Sequence, residues 1–195
     1  MNYGEELAYW YLRLNGFFPV TNFVIHKSEE MDYPSDIDLI AVRPPHVFEE
    51  IGGKDEDWDV YIKEHCDFTQ YVGLLCEVKT GMFNAKKVFQ DKHLKVGVHR
   101  LGLILPDEVE NVVAVLSTQS GFPERPTRKM ICKLLISPKE TPSTKYLNRS
   151  IAQIEDFILN RVQKYAGEKY ASRMFFHSTM FQLLIAQIHR QTAQR

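Results

Sequence analysis

The chain has 195 residues, 44% hydrophobic and 25% charged, an ordinary balance for one main globular domain. At that length a single core buries about 70% of the unfolded surface without a disulfide or metal staple. A formal charge of −1 excludes a uniformly basic, histone-like or ribosomal protein, and no apolar run approaches the ~20 residues of a membrane span.

Gly4 to Asn15 opens with a predicted helix: Leu7, Trp10, Tyr11 and Leu14 fall at i, i+3, i+4 and i+7, and Gly16 supplies the stop. The acidic start Met1–Glu6 has neither the basic lead nor the apolar stretch of a signal peptide. Phe17 to Ile25 is rich in β-branched and aromatic residues and reads as a strand. Asp36 to Val42 is a second strand, ended by Pro44-Pro45. Residues 46–69 form an acidic insert with eight carboxylates, expected as loop with a short helix near Trp58 to Cys66. Tyr71 to Lys79 is the third strand. Residues 84–103 are expected to be helical, Val109 to Ser117 a buried strand, 120–128 a loop, and Met130 to Ile136 a further strand. A linker follows from Ser137, and helices are expected over about 147–165 and 168–193, with Gly167 between them. The order gives an α/β fold with a mixed central sheet. It also gives a domain division into a core over 1–137, carrying the insert at 46–69, and a C-terminal helical extension over 143–195 packed on it.

The near-zero charge hides a bipolar chain. Residues 1–78 carry 5 basic and 16 acidic side chains, net −11; residues 79–195 carry 19 and 9, net +10. An acidic half can collect metal ions and a basic half can meet a polyanion. The competing expectation is that the two halves neutralise one another. Three cysteines, Cys66, Cys76 and Cys132, form an odd, sparse set that suits a reducing compartment; a cytoplasmic location is the expectation.

Two strands carry charge where a core strand should not. Side chains alternate along a strand, so Ile37, Leu39 and Ala41 share one face and Asp36, Asp38 and Ile40 the other. Glu77 and Lys79 likewise share a face, opposite Cys76 and Val78. A carboxylate buried in such a run must find a partner or reach a site. A structural ion network among Asp38, Glu77 and Lys79 satisfies that demand. So does a site in which Asp38, Glu77 and the Val78 carbonyl offer oxygens to Mg²⁺ or Mn²⁺ while Lys79 stands beside the reacting phosphate.

These residues also carry a family resemblance. Asp38, Glu77-Val78-Lys79 and the glutamate of the first helix resemble the PD-(D/E)xK nuclease superfamily, the restriction-endonuclease-like fold shared with Holliday-junction resolvases. Gly4-Glu5-Glu6-Leu7-Ala8 with Tyr11-Leu12 and Gly16-Phe17 looks like the opening helix of its small YraN-like branch. Ser35–Ala41 is similar to that branch's G-E-I-D-L-I-A strand, and Cys76–Thr80 to its E-V-K strand.

The resemblance implies an αβββαβ core. It implies Asp38 and Glu77 as metal ligands with the Val78 carbonyl, Lys79 as the catalytic lysine, and Glu5 completing the site, with Glu6 in its place if the register slips by one. It implies a Mg²⁺- or Mn²⁺-dependent endonuclease acting on nucleic acid, DNA first. The alternatives are an RNA-directed nuclease, or a non-catalytic interaction or nucleic-acid-binding module on the same fold. Gln90, Lys92 and Lys95 sit where relatives often hold phosphate-contacting residues.

Arg125, Arg128 and Lys129, with Lys133, Lys139, Lys145 and Arg149, form a candidate phosphate-contacting strip. The apolar set Met174, Phe175, Phe176, Met180, Phe181, Leu184, Ile185 and Ile188 is expected to pack on the core, with a homodimer surface as the sharper alternative. Gly52-Gly53-Lys54-Asp55 lacks the first glycine and the Ser/Thr of a P-loop, and the cysteines match no zinc spacing.

Overall fold

The computed structural model describes residues 2–25, 35–124, 127–166 and 178–192. Helix α1 (Tyr3–Leu14) starts at Asn2, whose side chain accepts from the Glu5 N–H while the Glu5 carboxylate takes the Asn2 N–H, a reciprocal cap. It buries Leu7, Ala8, Tyr11, Leu12 and Leu14, as its spacing predicts. Strands β1 (Phe18–Ile25) and β2 (Ser35–Arg43) pair antiparallel. The acidic insert holds an isolated bridge between Glu49 and Gly53, a 3₁₀ turn over 55–57 and a short helix, α2 (Val60–His65). Strand β3 (Tyr71–Val78) is followed by α3 (Asp91–Leu101) and α4 (Val109–Leu116). Then come β4 (Gly121–Glu124), β5 (Lys129–Ser137), β6 (Leu147–Ser150), α5 (Ile151–Lys164) and α6 (Thr179–Thr192).

The six strands form one mixed sheet in the order β1-β2-β3-β5-β4, with β6 also on β5. β3 runs parallel to β5 along its length, so β4 and β6 share the far edge of β5, β4 on residues 129–132 and β6 on 134–137. Helices cover both faces. On one, α1, α5 and α6 bury Leu12, Ile154, Ile158 and Phe181 against Leu39, Leu74, Cys76 and Leu134. On the other, α3 and α4 bury Leu94, Val98, Val112 and Leu116 against Ile40, Leu75, Ile131 and Leu135. The architecture is α/β, a mixed six-stranded sheet flanked by helices.

Several expected elements differ. The strand expected over Val109–Ser117 is instead helix α4, Val109–Leu116: Val109, Val112, Val113 and Leu116 are its buried residues, a stripe at helical spacing. The expected loop over 120–128 contains β4, which pairs antiparallel with the start of β5. The helix expected from 147 begins at Ile151, because 147–150 is taken up by β6 and Ser150 caps α5. The helix expected over 84–103 is confined to 91–101, closed by Gly102 at φ 66°. Among the described part of the apolar C-terminal set, Phe181 and Ile185 are buried in the chain's own core; Met174, Phe175 and Phe176 lie outside the described residues. All three cysteines are buried free thiols.

The bipolar charge is partly cancelled internally. Asp57 of the insert meets Lys164 of α5 at 2.6 Å, and Asp59 meets Arg149 at 3.0 Å. Arg161 of α5 is buried and donates to the carbonyls of Gly52 and Asp57, tying the insert to the C-terminal layer. Arg43, also buried, sits over the Phe68 ring at 3.6 Å and donates to the Asn15 carbonyl at 3.1 Å. No helix among the described residues is long and apolar enough to cross a membrane.

Candidate active site

The ladder between β2 and β3 ends at the Leu39–Cys76 pair. Continued by one step it would set Asp38 directly opposite Glu77, two like charges that destabilise a cross-strand pair. The strands part there instead. The Asp38 carboxylate accepts the Val78 N–H at 2.6 Å, replacing a backbone partner. The Lys79 N–H bonds to the Ile136 carbonyl on the β5 side. Polar groups of successive strand residues point to alternate edges, so the Val78 carbonyl is directed with its N–H toward the edge that β2 has left. Strict alternation would also put Ile37 with Leu39 and Ala41. It packs instead with Ile40 and Leu75 against α3, and this break in the pattern brackets Asp38.

Lys79 stands between the carboxylates, its Nζ 3.1 Å from Glu77 Oε2 and 3.5 Å from Asp38 Oδ2. The side chains are 8% (Glu77), 18% (Asp38) and 31% (Lys79) exposed, so the cluster is half sunk and opens to solvent on the lysine side. The other oxygen of Glu77, Oε1, accepts the Phe89 N–H at 3.0 Å. Phe89 reaches it from a left-handed backbone, φ 55°, a conformation that costs a bulky residue about 1–2 kcal/mol.

Burial raises the Asp38 carboxyl above its ordinary value; the Val78 N–H and Lys79 oppose the rise without cancelling it, and the Glu77 and Glu5 charges add to it. Burial alone would weaken the Lys79 amine, but Glu77 and then Asp38 hold its proton more firmly, and it ends above its ordinary value. In this arrangement Lys79 is the counter-ion of both carboxylates.

Glu5 lies near this cluster because α1 presses on the end of β3. A Cβ at Gly4 would lie 2.6 Å from Thr80 Cγ2 and 3.0 Å from Val78 Cγ1. Glu5 contributes charge to Asp38, but its oxygens are engaged by the Asn2 N–H and side-chain amide. Glu6 takes the Ser178 hydroxyl at the start of α6. Among the described residues, no three of His, Cys, Asp and Glu converge as a metal cluster. The carboxylates that the fold does bring together are Asp38 and Glu77, both on the Lys79 ammonium, with the Val78 N–H on Asp38; their oxygens are hard donors of the kind that fit Mg²⁺ or Mn²⁺.

The basic residues divide. Gln90 and Lys92 lie at the N-terminus of α3, next to Phe89, and line a cleft with Lys133 and Lys145. Lys95 is paired with Glu110 of α4 at 2.5 Å. Lys129 pairs with Tyr71 at the beginning of β3, six residues and about 20 Å from Glu77, so Arg128 and Lys129 lie at the opposite end of the sheet from the carboxylates. Arg128 donates to the Thr69 carbonyl; Arg125 lies outside the described residues. The expected phosphate strip is therefore not one surface with the site, because β5 runs parallel to β3 and carries its first residues away from the carboxylates. His93, in the first turn of α3, feels the Glu77 charge, although burial dominates and lowers its pKa.

No family model, no curated protein and no solved structure matches this chain.

Proposed function

We propose that the chain is a metal-dependent nuclease of the PD-(D/E)xK type that hydrolyses phosphodiester bonds, with DNA as the first substrate to test. The observation that carries the reading is the convergence of Asp38, Glu77 and Lys79 where β2 and β3 part. Counting α2, α4 and β4 as insertions, the order α1-β1-β2-β3-α3-β5 reads as the αβββαβ core that the resemblance implies.

Asp38, Glu77 and the Val78 carbonyl would hold Mg²⁺ or Mn²⁺, which supplies a Lewis acid and a water of lowered pKa. The Phe89 N–H fixes the Glu77 carboxylate, and the Val78 N–H fixes that of Asp38. Lys79 would set a positive charge where negative charge builds on the phosphate. Lys79 bridges both carboxylates, so a metal held there would take its place between them and leave the ammonium to the solvent side. Glu5 acts on Asp38 through its charge.

The test is cleavage of single-stranded, duplex and branched DNA and RNA with Mg²⁺, comparing the wild type with Glu77→Gln and Lys79→Ala. Both variants are expected to lose at least 100-fold in rate, as oxyanion-stabilising groups do when removed, while melting as cooperatively as the wild type. A folded variant that cuts at the wild-type rate refutes the mechanism. A second reading, a non-catalytic module on the same fold, is favoured by one observation: Lys79 already supplies the counter-charge of both carboxylates. Calorimetry separates the two readings, since folded wild type that takes up neither Mg²⁺ nor Mn²⁺ belongs to the module.

A further inference from the structure

The α3/α4 face of the sheet opens into a cleft of about 440 Å³. Its lining includes Lys92, Lys133, Lys145, Gln90, Phe89 and Tyr146. Lys133 is the unusual member. It is 2% exposed, and its Nζ donates to the Leu116 carbonyl at the end of α4 and lies 5.4 Å from the Phe89 ring centre. Those partners are a helix-end dipole and a ring quadrupole. No carboxylate lies within ion-pair distance of Lys133 among the described residues. Asp91, the acid of the cleft wall, acts on Lys133 through its charge but not by contact, and its carboxylate accepts the Ser117 hydroxyl at 2.7 Å.

A desolvated ammonium with no carboxylate in contact is costly to keep, and an anion seated in the cleft lowers that cost. Tyr146, half-buried and backed by the Phe89 ring at 5.9 Å between centres, adds a flat wall of the kind on which a nucleobase stacks. The cleft joins the catalytic carboxylates through one residue, since the Phe89 N–H is bound to Glu77.

We propose that this cleft is a nucleotide subsite, with a phosphate at Lys133 and Lys145 and a base against Tyr146. Reading the anion as a nucleotide rests on the proposed nuclease function; the need of Lys133 for an anion does not.

Calorimetry with dAMP, inorganic phosphate, and a trinucleotide with and without a 5′-phosphate tests it. Wild type is expected to bind dAMP with a Kd below about 1 mM at low salt and more tightly than phosphate. Lys133→Met is expected to weaken dAMP at least 10-fold. Lys145→Gln, on an exposed side chain, is expected to weaken it about threefold and keeps the test alive if Lys133→Met fails to fold. A phosphorylated trinucleotide that binds better than dAMP marks the ligand as a strand end; equal binding marks it as a free nucleotide. Wild type that binds neither dAMP nor phosphate, or folded variants that bind as it does, overturn the subsite. Phosphate binding with no gain from the base overturns the nucleotide assignment. Cleavage and dAMP binding are read on the same wild-type preparation, so wild type that binds dAMP but cuts no nucleic acid sinks the nuclease reading and leaves the anion site standing.

Discussion

Lys133 keeps its place in the interior at the expense of its basicity. Burial lowers its pKa from the usual 10.5 to about 8, with Asp91 opposing the shift and Lys145 adding to it. The native state sheds this proton above about pH 8, while the unfolded chain holds it to about 10.5. Between those values the unfolded state binds more protons, so stability rises with pH across the window and the benefit is absent below it. Relative to Lys133→Met, wild type should gain up to about 3 kcal/mol between pH 8 and 10.5. Chemical denaturation of both proteins at intervals of half a pH unit measures it, and a constant difference contradicts it.

Asp57 behaves in the opposite sense. Burial would raise its carboxyl, but hydrogen bonds from Lys164, Tyr165 and the Lys54 N–H, with the Arg161 charge, bring it below its ordinary value. Its contribution is present above the normal carboxylate range and is lost as pH falls through the lowered value. Asp57→Ala should cost about 2–3 kcal/mol at pH 7, read as a shifted denaturation midpoint, and the wild type should approach the variant in acid.

At the scale of elements, α3 lies close on the sheet because residue 97 is glycine. A Cβ there would come within 2.7 Å of Ile37 Cδ1 and 2.8 Å of Leu75 Cδ2, both in the core. Gly97→Ala gains about 1 kcal/mol of helix propensity and loses about 1–3 kcal/mol to overpacking. Net destabilisation is the expected result in a urea titration; a stabilised variant means that α3 can lift without cost.

The valine-rich 109–117 segment shows why the sequence is ambiguous here: β-branched residues suit a pleated surface, yet its apolar positions also fit a helix stripe, and tertiary packing decides between them. The charged positions of β2 and β3 are legible because alternation exposes a carboxylate in an apolar run. Lys79 is legible as one partner of Glu77; the other is not, being a backbone N–H delivered by the left-handed turn at Phe89 that no side-chain pattern announces. Lys133 is legible as a basic residue but not as a buried one, since that depends on the pairing of β5 with β3 and the placement of α4 over it.

At the scale of the molecule, α1 and α5 are one packing unit built from distant stretches of chain. Ile154, Ile158 and Val162 cover Leu7, Tyr11 and Leu12, while Arg161 and Lys164 pin the insert. A chain ending at residue 142 lacks this cover, and its first helix and sheet face would lie bare. Such a fragment should be insoluble or bind a hydrophobic dye strongly; a soluble, cooperatively melting fragment would show that the helical layer is dispensable.

The same pairing has a consequence for synthesis on the ribosome. About 140 residues of chain must emerge after α1 before α5 can close over it, so a growing polypeptide carries an unsatisfied greasy surface through most of its elongation. Contacts of such long sequence separation form late and slowly, and that interval is when chaperone engagement matters most for this fold.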